Sequence, residues 1–380
     1  MKICEKSICT GCGVCALRCP KNCITMTEKG NLGHTYPQID EKKCINCGRC
    51  KSVCPSINEK GFYKPSSVYA GWSKNANDYY TSTSGGAASV FSQYVINKGG
   101  IVYGCAVLPN LEVKHIRIDN IEDVKLLKGS KYVQSSIVET LPLIEKDINK
   151  GRLAMFIGTP CQCAAVKSLF KRMPTNLILI DLICHGVPSL KFLKKHVSKN
   201  APNLNIDNIS FRMGNEYCLT ITSQNNIVYQ QSLFHPRYKD LYLNSFYDGF
   251  SLRDSCYSCQ YAQSKRISDI TIGDFWGLGK MESCEGMAPH PNGCSLIMPL
   301  TSKGNDLLKQ VEPLMYIYHR NVLEAINGNE KLRRPTIKTQ RIRLYRKLLN
   351  YLYVPHFYYI FMIDKVLKLL IVNLKRKCLK

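Results

Sequence analysis

Between about residues 68 and 200, short apolar runs alternate with amphipathic stretches. The runs are rich in Ile, Leu and Val and have the length of buried strands, whereas the stretches between them carry apolar residues at helical spacing. The apolar runs predict strands at 101–107, 153–157 and 177–183. The amphipathic stretches predict helices near 86–97, 161–171 and 189–198. Because strands that alternate with helices form sheets with parallel segments, this pattern predicts an α/β domain.

A different pattern occupies residues 205–233, where polar and apolar residues alternate one by one. The alternation at 209–213 and 219–222 predicts antiparallel strands, with Asn225-Asn226 as a turn between two of them. The predicted fold is therefore an α/β domain with a partly parallel sheet and inserted antiparallel strands.

Pro65, Ser66 and Ser67 mark a linker at 56–67. It separates an N-terminal domain at 1–60 from the α/β domain, to which we assign residues 68–320. Residues 331–380 are basic and aromatic and lack the Gly-rich turns of the core, so they form a C-terminal appendage. With 380 residues and 45% hydrophobic content, the chain can bury a substantial core in two or three domains.

The N-terminal domain contains one cysteine pattern twice, Cys-x2-Cys-x2-Cys-x3-Cys-Pro. The first copy starts at Cys9 and ends at Pro20, and the second starts at Cys44 and ends at Pro55. This is the spacing of a ferredoxin domain with two 4Fe-4S clusters, in which the fourth cysteine of each run binds the other cluster. The predicted ligand sets are Cys9, Cys12, Cys15 and Cys54 for one cluster, and Cys44, Cys47, Cys50 and Cys19 for the other.

Zinc modules and disulfide scaffolds also concentrate cysteines, but neither explains this repeat. Zinc modules pair two CxxC knuckles without a four-cysteine run that ends in proline. The chain opens without the apolar core of a signal peptide, which disfavours an oxidising compartment. We therefore expect an electron-transfer protein in reduced cytoplasm, with Cys4 and Cys23 outside the repeat and spare.

The chain carries a formal net charge of +24, which suggests an acidic partner. Residues 331–380 alone hold fourteen Lys or Arg against the single acid Asp364, more than half of this excess. No zinc finger, helix-turn-helix or RNA-recognition signature accompanies the charge, so no nucleic acid is expected.

Within this tail, residues 357–372 would form an amphipathic helix with a wide apolar face. Its internal charges and Pro355 argue against a membrane-spanning helix. We predict peripheral contact with the inner face of the membrane, while docking on a partner subunit or on the chain's own core remains an equal alternative.

A third ligand set follows from the predicted α/β topology. Cys161 lies in the first turn of a helix opened by Pro160, where the helix amides are expected to lower its pKa. Cys184 follows the next strand, and neighbouring parallel strands end at the same edge of a sheet. With the later pair Cys256 and Cys259, these thiols predict a third 4Fe-4S cluster.

Simpler interpretations of these cysteines stay open. Cys256 and Cys259 could form half of a structural zinc site, and Cys161 or Cys184 could be small buried hydrophobic residues. Cys163 is the leading substitute ligand. The remaining cysteines of this domain are expected in the core: Cys105, Cys218, Cys284 and Cys294.

Electrons that arrive singly need a group that converts them to two-electron chemistry, and a flavin is the commonest such group. Ser84, Gly85 and Gly86 precede an apolar helix, where backbone amides can face a phosphate. Residues 128–132 offer cations, hydroxyls and an aromatic ring. Each segment is a weak signal alone, because such turns are common and Lys-Tyr pairs usually lie on the surface. His185 could equally be a structural histidine.

Taken together, these residues resemble the beta subunit of coenzyme F420-reducing hydrogenases and dehydrogenases, fused to a dicluster ferredoxin. The matching motifs run in the family's order from about 68 to 300: Ser84-Gly85-Gly86, 129–132, 158–162, 184–189, Cys256-x2-Cys259 and 268–277. The resemblance implies an FAD-binding domain with its own 4Fe-4S cluster. It would exchange hydride between the flavin and a deazaflavin or another two-electron acceptor.

The resemblance also implies roles for single residues. The implied flavin contacts are Ser84, Gly85, Gly86, Ser130, Lys131, Tyr132 and Trp276, and the implied catalytic candidates are Lys131, His185 and Asp274. The family includes bacterial members that do not obviously use the deazaflavin, some associated with surface-polysaccharide synthesis. The substrate therefore does not follow from the fold.

The leading hypothesis is an iron-sulfur flavoprotein oxidoreductase whose partner is a redox protein or an acidic two-electron carrier such as coenzyme F420. The alternatives are a non-catalytic electron-relay subunit that feeds a separate enzyme, and a zinc-stabilised binding protein.

Overall fold

A computed structural model describes residues 2–58, 61–214, 216–234 and 240–351. The tail helix predicted at 357–372 lies outside these residues. The strands are β1 (Ile24–Lys29), β2 (His34–Ile39), β3 (Val68–Ser73), β4 (Ile101–Leu108), β5 (Glu112–Ile118), β6 (Ala154–Gly158), β7 (Leu177–Leu182), β8 (Asn208–Met213), β9 (Glu216–Ser223), β10 (Asn226–Ser232), β11 (Ile270–Asp274), β12 (Ser295–Pro299) and β13 (Met315–Arg320).

Helices connect most of these strands. They are α1 (Val14–Leu17), α2 (Arg49–Ser52), α3 (Ala76–Tyr80), α4 (Ala87–Asn97), α5 (Val124–Leu127), α6 (Thr140–Asn149), α7 (Pro160–Lys167), α8 (Leu190–Asn200), α9 (Leu241–Tyr247), α10 (Ser302–Val311), α11 (Val322–Gly328) and α12 (Gln340–Tyr351). In the described ranges, none of them is both long and apolar enough to cross a membrane.

The largest sheet has the strand order β13-β3-β12-β11-β7-β6-β4-β5. Its central strands β4, β6, β7 and β11 are parallel, which confirms the parallel segments predicted from the alternating pattern. The outer pairings are antiparallel, so the sheet is mixed. Because β6 and β7 are parallel neighbours, the residues that follow them lie at the same edge.

Alternate residues of each central strand face opposite layers of helices. On β6, Met155 and Ile157 pack in the cluster that contains α4 and α10, whereas Ala154 and Phe156 pack in the cluster that contains α6 and α7. Burial on both faces is why the sequence shows unbroken apolar runs here. Each large buried side chain contributes roughly 1.5–3 kcal/mol.

The segment 205–233 forms a separate antiparallel sheet in the order β10-β9-β8, as its alternation predicts. The turn is one residue earlier than predicted. Asn226 pairs with Ser223, so Gln224 and Asn225 occupy the turn with φ values of 50° and 61°. Positive φ at both central residues is the conformation that two-residue hairpins need.

The N-terminal domain consists of the β1–β2 hairpin and the short helices α1 and α2. It packs on the sheet domain: Val14 of α1 is fully buried in the cluster that contains α6, and Arg18 forms an ion pair with Glu145. Tyr63, in the predicted linker, pairs through its backbone with Arg266. The two domains therefore share a buried boundary.

Candidate functional site

The cysteines of the N-terminal repeat divide between two pockets. Cys9, Cys12, Cys15 and Cys54 line one of about 310 Å³, which we call the inner pocket. Cys19, Cys44, Cys47 and Cys50 line one of about 330 Å³, which we call the outer pocket. Each pocket thus holds three cysteines of one run and the fourth cysteine of the other run, the arrangement of the predicted ligand sets.

Glycine conformation lets the two runs curl in the same way. Gly13 and Gly48 each follow a CxxC pair and have φ values of 80° and 76°, a left-handed conformation that side chains disfavour. Each starts a one-turn helix that carries the third cysteine of its run. Matching turns at matching positions give both pockets the same backbone frame.

Each of these pockets also contains a thiol that the sequence analysis set aside. Cys4 lines the inner pocket, and its hydrogen bonds lower the pKa of both Cys9 and Cys54 to about 6. Cys23 lines the outer pocket with its Sγ 3.3 Å from that of Cys19. The repeat spacing gave no signal for them, because both lie outside it.

A third pocket lies at the sheet edge where β6 and β7 end. Its lining includes Cys161, Cys184, Cys256 and Cys259, and its empty volume, part of which is open to solvent, is about 780 Å³. We call these four cysteines the sheet-edge quartet. The topology therefore brings together thiols that are far apart in the sequence, as the strand order predicts. Cys163 is instead buried in the core, where its thiol contacts the carbonyl of Ile180.

The helix that carries Cys161 begins as predicted, but the expected pKa of this cysteine was wrong. Thr159 caps α7 in a reciprocal arrangement with Gln162, and Pro160 occupies the first turn. Burial nevertheless raises the pKa of Cys161 to about 11, because desolvation and the nearby Cys259 outweigh hydrogen bonds to the thiol.

The other sheet-edge thiols are affected in the same way. Burial, reinforced by neighbouring thiols, raises the pKa of Cys256 to about 12 and that of Cys184 well above its usual range. Four desolvated thiols that repel one another as thiolates need a positively charged group among them to ionise. The donor set therefore fits a metal cluster. The N-terminal quartets fit clusters on different grounds, because each gathers four cysteines of the repeated run around one pocket.

A buried ion pair frames the sheet-edge quartet. Arg266 and Asp181 are both almost completely buried, with 2.6 Å between guanidinium and carboxylate. Arg266 also donates to the carbonyl oxygens of Tyr261 and Leu182. Because Asp181 belongs to β7 and Tyr261 follows Cys259, this arginine ties the Cys256–Cys259 segment to the sheet. No sequence signal pointed to this contact.

Arg253 connects the sheet domain to the inner pocket. Its buried guanidinium donates to the backbone oxygen of Cys9 at 2.7 Å and to that of Thr35 at 2.6 Å, and one nitrogen lies 3.8 Å from Cys9 Sγ. A Cβ at Gly11 would lie 2.8 Å from the guanidinium, and the φ of 69° also disfavours a side chain, so both features favour glycine there. A lone arginine in a loop carried no sequence signal for this contact.

The Ser84–Gly86 turn is explained largely by packing inside the protein. Ser84 is buried, and a Cβ on Gly85 would lie 2.2 Å from the carbonyl oxygen of Gly71. Gly86 begins α4 with φ 78°. The carboxylate of Asp78 lies near this turn and pairs with Lys128 at 2.6 Å. An anion at the start of α4 would therefore have to share this space with a carboxylate.

Lys131 and Tyr132 are more buried than their motif suggested. Lys131 donates to the carbonyl oxygens of Leu126, Leu127 and Lys128 at the end of α5, and burial lowers its pKa to about 8. The ring of Tyr132 stacks on Phe246 at 4.7 Å. The pair thus belongs to a packed region at the edge of the sheet.

Arg212 joins Tyr132 to Asp274. Its guanidinium lies within hydrogen-bond distance of the Tyr132 hydroxyl, at 3.3 Å, and of the Asp274 carboxylate, at 3.2 Å. Arg212 Nε is buried and has no hydrogen-bond partner within residues 2–58, 61–214, 216–234 and 240–351. Trp276 lies two residues beyond Asp274 and is 49% exposed. Ser130 contacts the Tyr132 hydroxyl. The sequence analysis treated Arg212 only as part of an alternating strand.

His185 lies between the sheet-edge quartet and this region. It lines the third pocket next to Cys184, and its Nε2 donates to the carbonyl oxygen of Phe246 at 3.2 Å. Burial lowers its pKa to about 4, so the ring is neutral at pH 7. Its ring packs edge-on against Phe246, the same ring on which Tyr132 stacks. The implied flavin contacts of the sequence analysis do not line any of the three pockets.

Comparison with protein families gives matches for both halves of the chain. Residues 8–58 match a 4Fe-4S dicluster domain, and 36–94 match a second model of that type. Residues 151–324 match the C terminus of the beta subunit of coenzyme F420 hydrogenase/dehydrogenase. These residues belong to that family. The resemblance stated from the sequence is thereby confirmed.

Curated relatives give the same result. An F(420)H(2) dehydrogenase subunit of Methanosarcina mazei is 26% identical over 196 residues, 48% of this chain and 55% of the relative. The coenzyme F420-dependent sulfite reductase of Methanocaldococcus jannaschii is 22% identical over 398 residues, 94% of this chain and 53% of the relative. The chain thus spans about half the length of these relatives.

A solved structure of the F420-reducing [NiFe] hydrogenase complex from Methanosarcina barkeri also matches. The similarity has a TM-score of 0.47 with 17% identity, and it covers 76% of this chain and 88% of the other.

Proposed function

We propose that the chain is an iron-sulfur flavoprotein oxidoreductase of the F420 hydrogenase/dehydrogenase beta subunit type. The observation that carries this proposal is that three cysteine quartets lie one after another in space. The outer and inner pockets are joined by α1 and α2, since Cys15 and Cys19 lie on one short segment and Cys50 and Cys54 on the other. The inner pocket and the sheet-edge pocket share Thr10 and Ser56 in their linings.

Bound 4Fe-4S clusters would supply one-electron transfer, and bound FAD would supply exchange of hydride with coenzyme F420 or another two-electron acceptor. The cluster ligands would be the sheet-edge quartet and the two predicted N-terminal sets. We call the set in the inner pocket the inner quartet and the set in the outer pocket the outer quartet. Thiols arranged around open pockets suit a cubane better than zinc, because zinc needs four donors converging on one point.

We assign the flavin to the region around Tyr132, Arg212 and Asp274. Arg212 Nε is buried and has no hydrogen-bond partner among the residues that the structure describes, so it is a candidate donor to an oxygen or nitrogen of a ring system. The contacts from His185 through Phe246 to Tyr132 connect the sheet-edge quartet to this region. Neutral His185 would orient its neighbour Cys184 by its hydrogen bond to Phe246. Lys131, held by three carbonyl oxygens, would keep the 128–132 segment in place.

Metal analysis of a cysteine variant tests the third cluster. After anaerobic purification, we expect about twelve iron atoms per chain, and about eight in Cys259→Ala. The control is Cys218→Ala, a buried thiol of β9 whose contact is Thr220. Equal iron contents in Cys259→Ala and Cys218→Ala would remove the third cluster from the proposal.

Flavin analysis of the same preparations tests the oxidoreductase assignment. We expect about one FAD per chain, and a loss of FAD without loss of iron in Tyr132→Leu. Tyr94→Leu, which removes a half-buried tyrosine of α4, is the matched control. Protein with a full complement of iron and no flavin would instead be an electron relay that feeds a separate enzyme. The polysaccharide context would be tested by an acceptor screen with the holoprotein.

A further inference from the structure

The inner and outer pockets differ in their access to solvent. The inner pocket is covered by the sheet domain, where Arg253 lies against Gly11 and Val138 lies against Gly13. In the outer pocket, by contrast, the ligand candidate Cys47 is exposed. Its neighbour Ile45, which also lines the pocket, is 57% exposed. The outer pocket is therefore the one whose predicted ligands include an exposed cysteine, and it lies at one end of the series of three quartets.

Positive side chains surround this exposed end. Each lies within two residues of a cysteine of the outer quartet, and all are exposed: Lys21, Lys42, Lys43, Arg49 and Lys51. Lys43 forms an ion pair with Asp40 at 3.7 Å. In the described part of the chain, Lys21, Lys42, Arg49 and Lys51 have no carboxylate within ion-pair distance. An apolar centre at Ile45 within a charged rim is the usual anatomy of a protein interface.

We infer that this surface docks an acidic protein that carries a one-electron redox centre. The inference rests on the proposed function, because it assigns the outer quartet a cluster. A row of exposed cations attracts a negative surface, accelerates its approach and sets its orientation. We call the surface formed by Lys21, Lys42, Ile45, Arg49 and Lys51 the carrier face.

The chemistry of the site selects a one-electron carrier over a small hydride carrier. A hydride needs an organic acceptor such as a flavin ring, and the flavin candidates lie in the sheet domain. Each encounter at the carrier face would pass one electron, so that the carrier changes oxidation state by one and no bond forms or breaks. Two encounters with reduced carrier balance the two electrons of one hydride.

Charge reversal with a matched control tests the inference. The test variant is Lys42→Glu with Arg49→Glu. The control variant is Lys194→Glu with Lys309→Glu, two exposed cations on α8 and α10 that change the net charge by the same amount. The probe is a reduced plant-type ferredoxin of strongly negative charge, and the measurement is the second-order rate of cluster reduction in the full-length holoprotein by stopped flow.

We expect the test variant to react about tenfold more slowly than wild type at low ionic strength, with the difference vanishing in high salt, and the control variant to react like wild type. Equal rates for the two variants at low salt would overturn the carrier face. If the test variant loses iron, Lys21→Gln with Lys51→Gln replaces it, with an expected decrease of about threefold.

A second reductant separates this inference from the proposed function. Methyl viologen radical is a small cation that does not dock on a basic surface, so in high salt, where charges are screened, it should reduce all the variants at the wild-type rate. A chain that holds iron and is reduced by viologen, but shows no charge effect with ferredoxin, overturns only the carrier face. A chain that holds no iron overturns the proposed function as well.

Discussion

The outer quartet and the sheet-edge quartet each line one pocket with four thiols, but the chain brings those thiols together in different ways. The outer quartet takes Cys44, Cys47 and Cys50 from a single turn of chain and adds Cys19. The sheet-edge quartet takes its cysteines from the ends of β6 and β7 and from a loop that follows α9. Local spacing determines the first site, whereas the second exists only while the sheet is correctly packed. Mutations in the core should therefore affect the two sites differently.

The largest expected effect comes from breaking the buried ion pair of the sheet-edge site. In Asp181→Ala, Arg266 would remain buried without its carboxylate, which costs about 3–5 kcal/mol. Because Arg266 ties the Cys256–Cys259 segment to β7, the variant should also lose about a third of its iron. Urea unfolding and metal analysis measure the two effects.

A second buried carboxylate provides the control for this variant. Asp147 accepts from Arg117 at 2.8 Å and from the hydroxyl of Tyr103, on the α6 side of the sheet. Asp147→Ala should destabilise the domain while the protein keeps its iron. If Asp147→Ala and Asp181→Ala lost iron equally, the loss would reflect general instability, and the framing role of Arg266 would be wrong.

A smaller effect is expected where the two domains meet. Arg253→Met would leave the backbone oxygens of Cys9 and Thr35 without donors, at a cost of roughly 2–4 kcal/mol. It would also remove a buried positive charge beside the inner quartet. Since that charge favours the more negative, reduced form of a bound cluster, the midpoint potential of the inner cluster should fall, on the order of 50 mV.

Arg49→Met is the matched change beside the outer quartet. Arg49 is exposed, and its charge is therefore screened by water and salt. Its removal should leave both the stability and the potentials almost unchanged. A redox titration followed by EPR distinguishes the two clusters. A shift in Arg49→Met as large as that in Arg253→Met would mean that burial does not separate the two sites.

The same contrast explains how much of the molecule the sequence predicts. Dense local patterns were enough for the cysteine runs, the parallel β6 and β7, and the opening of α7 by Pro160. Arg253 and Arg266 were missed because each acts through contacts with residues far away in the chain. The predicted lowering of the Cys161 pKa was wrong because the sequence shows the helix N-terminus but does not show the burial that outweighs it. The turn at Gln224-Asn225 shows how a strong local motif still leaves the register uncertain by one residue.

The smallest expected effect is a pH dependence of the unfolding free energy that originates at His115, which is linked by hydrogen bonds to the helix of Cys161. His115 of β5 is buried, donates from Nε2 to the carbonyl oxygen of Ile157 at 2.9 Å, and accepts at Nδ1 from Ser135. The Ser135 hydroxyl also accepts from Gln162, whose side chain completes the cap of α7. Protonation of His115 would therefore disturb a chain of hydrogen bonds that leads to the helix of Cys161.

Burial lowers the pKa of His115 to about 4, against about 6.5 in an unfolded chain. The unfolded state therefore binds a proton that the folded state excludes, so the stabilising contribution is complete above pH 6.5 and is lost as the pH falls toward 4. Between pH 7 and pH 5, this residue alone should cost roughly 2 kcal/mol of unfolding free energy. His115→Gln should be less stable than wild type at pH 7 but should lack this part of the acid sensitivity, as urea unfolding at both pH values would measure. An unchanged slope in His115→Gln would mean that the acid sensitivity of the sheet domain comes from other groups.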